Sequence, residues 1–209
     1  LAMGDRQQAY EFGTEIHPVA APGPMRTFQG YRRADGRAAT RNYIGIVSTV
    51  NCSAASSRFI AEAFDRELLA QFPNVDGVIA LTHKGGCAMP FDCDNHRMLN
   101  RTLAGFAKHP NIAAYVIGGL GCETAQASFL TEAEHLVELT DWSKSGSSAV
   151  RMLTENGVAR APLMMNIQDV GGVAKTVQRG IAAIRDMLPE VNKVQREPIP
   201  ISELVLGMN

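Results

Sequence analysis

The chain has 209 residues, of which 45% are hydrophobic and 20% charged, enough for one compact core with an appendage. A formal net charge of -1 offers no basic field for a phosphate backbone, and 6% aromatic residues leave few stacking platforms, so nucleic acid is not expected as a partner. The longest apolar runs fall well short of the roughly 18 residues of a membrane span, and no membrane association is expected.

The start, Leu1-Ala2-Met3-Gly4-Asp5-Arg6, lacks the basic-then-apolar layout of a secretory signal and reads as the middle of a longer protein in the cytoplasm. In that compartment Cys52, Cys87, Cys93 and Cys122 are expected as free thiols or ligands. Residues 1–29 contain Pro18, Pro22, Gly23 and Pro24 and are read as an extended linker, because proline blocks helix and supplies no ladder donor. Residues 30–209 are read as one domain. It opens with a hairpin over Gly30 to Asn42, where Asp35-Gly36 can supply the positive φ of a tight turn.

Short apolar runs then alternate with amphipathic stretches. Tyr43 to Val50 predicts a strand, and Ser53 to Phe72 a helix with Phe59, Ile60, Ala63, Phe64 and Leu68 on one face. A second strand is expected from Val75 to Thr82, a helix from Asp94 to Lys108 with Met98, Leu99, Leu103 and Phe106 aligned, and a third strand from Ile112 to Ile117. Weaker patterns give a helix over Ser128 to Glu134, a strand over His135 to Leu139 and a helix from Ser147 to Asn156 that stops at Gly157. Leu163 to Ile167 is another strand. Val173, Val177, Ile181, Ile184 and Leu188 mark the clearest amphipathic helix, and Leu204 to Gly207 is expected to begin a last strand. Strands alternating with helices in this way predict a doubly wound, Rossmann-like α/β fold, a mostly parallel sheet with helices on both faces.

Three cysteines hold equivalent positions, Cys52, Cys87 and Cys122 following the first, second and third core strands at intervals of 35 residues. In an open parallel sheet, ligands bind beyond the carboxyl ends of the strands, so three thiols are expected at one rim. Thiolates there suit metal binding or reactive-thiol chemistry, although any one buried cysteine can simply be a small core residue. His83-Lys84-Gly85-Gly86 places an imidazole, an ammonium and exposed backbone N–H groups beside Cys87, a combination able to take a carboxylate. Glu123 can be a general base or can merely favour a helix N-terminus. Gln168 to Gly172 can cradle an anion with its amides, or Asp169 can be an ordinary N-cap, and Ser53 carries the same ambiguity. His17, His96, His109 and His135 are placed in the linker or on helix and loop surfaces and are assigned no role.

The ordered set Gly30-Tyr31-Arg32-Arg33, Thr40-Arg41-Asn42, Val50-Asn51-Cys52, His83 to Cys87, Gly119 to Glu123 and Ile167 to Gly172 resembles the middle region of altronate and galactarate dehydratases over residues 26–209. The resemblance implies a hydro-lyase, a small N-terminal domain before this domain, and a large C-terminal domain after it that completes the site. A fragment such as this is then expected to be inactive alone. The resemblance further implies β-elimination of water from a hexonate or hexarate to a 2-keto-3-deoxy acid, with a divalent metal, Fe2+ or Mn2+, as Lewis acid. On that basis Cys52, Cys87 and Cys122 are expected at the metal. Glu123, His83 and Lys84 are then catalytic, and Arg41, Asn51, Ser53, Gly85, Gly86, Gln168 and Gly171 bind substrate. A homo-oligomer is compatible with this picture. Two rivals stand beside it, a non-catalytic binding or scaffolding module and a nucleotide-binding oxidoreductase, and the missing GxGxxG turn argues against the second.

Overall fold

The computed structural model describes residues 13, 23–33, 35–123 and 163–207. Its centre is a parallel sheet of β3 (Tyr43–Ser48), β4 (Gly77–Leu81), β5 (Ile112–Gly119) and β6 (Leu163–Asn166), in the spatial order β4-β3-β5-β6. These runs are rich in Ile, Val and Leu because a parallel sheet is covered on both faces. Alternation along β3 and β5 sends Ile44, Ile46, Ala114 and Val116 to one side. There they meet Ile60 of α1 (Ala54–Glu62) and Ala183, Ile184, Met187 and Leu188 of α5 (Val173–Val191). Val47, Tyr115 and Ile117 point the other way, onto Leu103, Ala104 and Ala107 of α3 (Asp94–Ala107). The expected α/β architecture with helices on both faces is therefore present.

A second, antiparallel sheet packs at the amino ends of these strands. β1 (Thr27–Arg32) pairs with β2 (Ala38–Ala39), and the turn between them places Gly36 at φ +85°, as its Asp-Gly sequence predicts. The other partner of β1 is β7 (Glu197–Pro200), in register Thr27 with Pro200. The last strand is thus Glu197–Pro200 and not Leu204 to Gly207, which follows a 3-10 turn at Ile201–Glu203 and pairs with nothing among the described residues. Two prolines in β7 are tolerated because an edge strand has one set of N–H groups to spare. Arg32 ties the end of the chain down by pairing with both Glu197 and Glu203.

Several helical expectations change. The stretch Ser53 to Phe72 is not one helix. α1 ends at Glu62, and Asp65 starts the four-residue α2 (Arg66–Leu69) by accepting from Leu68 N at 2.8 Å, an N-cap that competes with helix continuation. Phe59 is 53% exposed because α1 buries Ala54, Ser57 and Ile60, and the next residue round a helix falls about 100° away. In α3 the buried stripe is His96, Asn100, Leu103, Ala104 and Ala107, so Met98 and Phe106 face outward. His96, expected on the surface, is fully buried, near the Asn100 amide and 5.3 Å from the Phe91 ring. Asp169 is not an N-cap. It lies inside α4 (Ile167–Val170) and accepts from Asn166 Nδ2 at 2.9 Å, while Gly172 caps α5. The expected elements over Ser128 to Gly157, and His17 and His135, lie outside the described residues.

Candidate functional site at the carboxyl rim of the sheet

β3 leads outward to β4 and β5 leads outward to β6, so the chain leaves the adjacent strands β3 and β5 in opposite directions. Such a divergence opens a crevice beyond the strand ends, where ligands of open α/β sheets bind. The loops bordering it carry Cys52, Cys122 and, one strand further, Cys87. All three thiols are exposed and, like Cys93, unbridged. Neighbouring strands lie about 4.8 Å apart, which makes the three loops contiguous. Among the described residues, however, no three His, Cys, Asp or Glu side chains are gathered closely enough to hold a metal ion. The three thiols share one rim of the sheet.

The loop after β4 is pinned to the loop after β3. Gly85 O accepts from Asn51 N at 2.9 Å, and a Cβ on Gly86, whose φ is +94°, would lie 2.6 Å from Thr49 O. His83 uses both ring nitrogens, Nδ1 accepting from Gly85 N at 3.1 Å and Nε2 lying 2.9 Å from Ser48 O. An N–H donating to Nδ1 and a carbonyl facing Nε2 favour the tautomer with its hydrogen on Nε2. Lys84 is exposed at the rim. Ser53 turns inward, its hydroxyl donating to Val50 O and Gly118 O at 2.9 and 2.8 Å, so it closes the 3-10 turn that presents Cys52.

Glu123 is buried, 2% exposed. Its Oε1 accepts from Thr49 Oγ1 at 2.7 Å and Leu120 N at 3.1 Å, and its Oε2 from Gly121 N at 2.6 Å. Gly119 makes room for this: a Cβ there would overlap Glu123 Oε1 and lie 2.6 Å from Asn166 Oδ1 and 3.1 Å from Thr49 Oγ1. Gln168 borders the same loop, its N donating to Leu120 O at 3.0 Å. Gly171 begins the turn into α5 at φ +92°, with Lys175 Nζ folded 3.4 Å from where its Cβ would be.

Arg41 alone of the expected site residues stands elsewhere. It precedes β3, at the amino end of the sheet, and its Nη1 donates to Thr40 O. The whole Thr40-Arg41-Asn42 motif is structural there. Thr40 N and Arg41 N donate to Asn111 Oδ1, and the fully buried Asn42 amide bonds Asn74 O, Val191 O and Arg33 Nη1. A groove of about 530 Å³ also lies at that end, lined by Tyr43, Phe64, Arg66 and Asp76 among others, but it holds no thiol and is remote from the crevice.

Three rim residues escaped the sequence reading. Thr49 directly follows β3 and Asn166 ends β6, where strand-end polarity was a usable signal, while Lys175 is one exposed helix cation among several and carries no signal of its own.

Residues 30–192 match the family described as D-galactarate dehydratase/Altronate hydrolase, second domain. The chain is similar to altronate dehydratase of Bacillus subtilis (strain 168), 29% identical over 203 residues, covering 96% of this chain and 35% of that protein. It is also similar to galactarate dehydratase (L-threo-forming) of Escherichia coli (strain K12), 32% identical over 200 residues, covering 93% and 35%. A further relative is the (2R)-sulfolactate sulfo-lyase subunit beta of Chromohalobacter salexigens, 26% identical over 180 residues, covering 86% and 36%. The chain thus spans about a third of the length of these relatives.

Proposed function

The chain belongs to the D-galactarate dehydratase/altronate hydrolase second-domain family, and from that premise we propose that it works, as part of a longer protein, in the dehydration of a sugar acid. The reaction would remove water from a hexonate or hexarate such as altronate or galactarate and leave a 2-keto-3-deoxy acid, a hydro-lyase step. The observation that carries this reading is that the family match runs across all the described loops of the rim, from Cys52 to Gly171.

The chemistry needs a proton taken from carbon beside a carboxylate and a hydroxyl expelled from the next carbon. Lys84 and Lys175 would hold carboxylate ends at the rim, with the backbone of Gly85 and Gly86 letting substrate approach closely. His83, with both nitrogens engaged, keeps its loop in place. The proton-abstracting group, on this reading, comes from outside the described residues. A divalent ion, Fe2+ or Mn2+, would supply Lewis-acid stabilisation of the developing charge. The described donors do not fit a complete centre for it, so further ligands would have to join any rim thiol that binds it. The four unbridged cysteines agree with a reducing, cytoplasmic setting, and the 209-residue chain alone would be inactive.

The sulfo-lyase relative supports a second reading in which the same domain serves elimination of a different leaving group from a hydroxy acid. An assay of the longer protein against altronate, galactarate and sulfolactate, following 2-keto acid and sulfite, separates the two. Keto-acid formation from a sugar acid is expected. Sulfite release with no turnover of any sugar acid would transfer the assignment to the second reading.

A further inference from the structure

We infer that Glu123 is a positioning residue that ties the Cys122 loop to the Cys52 loop, so that the presentation of the Cys122 thiol depends on Thr49. The two partners are 74 residues apart and belong to different strand ends, Thr49 following β3 and Glu123 following β5. Their 2.7 Å bond spans the crevice at its base. Each neighbours a thiol. Cys52 lies three residues beyond Thr49, and Cys122 immediately precedes Glu123.

Three donors converge on one buried carboxylate, the Thr49 hydroxyl and the amides of Leu120 and Gly121. Hydrogen bonds to an ionised acceptor are short and strong, and two of these three are 2.7 Å or less. The amides belong to the glycine turn that leads directly into Cys122, and Gly121 holds φ +116°, a conformation that few other residues take. With no side chain at Gly119, the carboxylate can settle against the strand end beside Thr49 and Asn166. The arrangement therefore acts on Cys122 through its loop, while Cys122 itself is an exposed residue.

This inference deepens the dehydratase reading by giving Glu123 a role other than base, but its test reads the thiol and not turnover, so either can fail without the other. The rate of iodoacetamide alkylation at Cys122 is measured at one pH by peptide mapping, with Cys93 in the same molecule as reference, alongside amide exchange of Leu120 and Gly121. Thr49→Val and Glu123→Gln should each speed exchange of both amides tenfold or more and raise the Cys122 rate at least threefold, while Thr49→Ser stays at the parent values. Combining the two changes should add little to either. Faster exchange with a Cys122 rate changed less than threefold would reduce the bond to a loop brace and overturn the inference, as would no change in either quantity. Should Glu123→Gln fail to fold, Thr49→Val against Thr49→Ser decides alone.

Discussion

The α-carbon of Gly86 rests on the carbonyl of Thr49: an added Cβ would approach that oxygen to 2.6 Å and Val50 Cα to 3.0 Å. Through this contact one thiol-bearing loop lies directly on the next. The approach also requires φ +94° at Gly86, so two separate physical demands exclude a side chain.

Gly86→Ala should therefore cost about 2–5 kcal/mol, the sum of left-handed strain and overpacking. Gly36 offers the control. Its φ is +85°, but a Cβ there meets nothing within 4 Å, so Gly36→Ala should cost only about 1–2 kcal/mol. Urea denaturation of both variants checks the difference, and equal losses would mean that the loop contact contributes nothing.

Asn42 joins three parts of the fold at the amino end, donating to Asn74 O and Val191 O and accepting from Arg33. Asn42→Ala leaves buried groups without partners and should destabilise by about 1–3 kcal/mol. The Cys122 alkylation rate should stay at the parent value, since the change lies at the opposite end of the sheet.

Burial pushes the Tyr115 phenol up to about 12. Because the folded value stands above the ordinary phenol value of 10.0, folding stability from this group is complete below pH 10 and is lost as pH rises through about 12. A spectrophotometric titration should show one tyrosine ionising late, and Tyr115→Phe should remove that step and soften the alkaline loss of stability.

Phe59 and Ile60 are adjacent in α1, yet one is 53% and the other 1% exposed. Ile60→Ala should cost about 2–5 kcal/mol, as removal of a packed core side chain does. Phe59→Ser should fall within about 0.5 kcal/mol of the parent. A thermal or urea series with both variants tests which face of the helix meets the sheet.

The pattern of the core strands was legible because a parallel sheet covered on both faces demands continuous β-branched and aliphatic runs, as in Ile44-Gly45-Ile46-Val47. The rim was legible for the same reason, since three cysteines following three successive strands must reach the same edge once those strands are parallel neighbours. Helix faces were read less well. A spacing count cannot tell whether Phe59 or Ser57 turns inward, nor that the stripe of α3 includes His96 and Asn100 while excluding Met98. That choice is made by the sheet residues opposite.

By itself, then, the sequence determined the α/β class, the hairpin at Asp35-Gly36 and the edge of the sheet at which the thiols lie, all of which follow from local periodicity, turn chemistry and chain direction. Only the tertiary structure decided that Thr40-Arg41-Asn42 braces the far end and that Leu204 to Gly207 yields its strand to Glu197–Pro200. It likewise decided that Glu123 reaches Thr49. Each of these depends on partners brought together from 70 or more residues away, and spacing along the chain holds no information about which distant donor a carboxylate or a strand edge will meet.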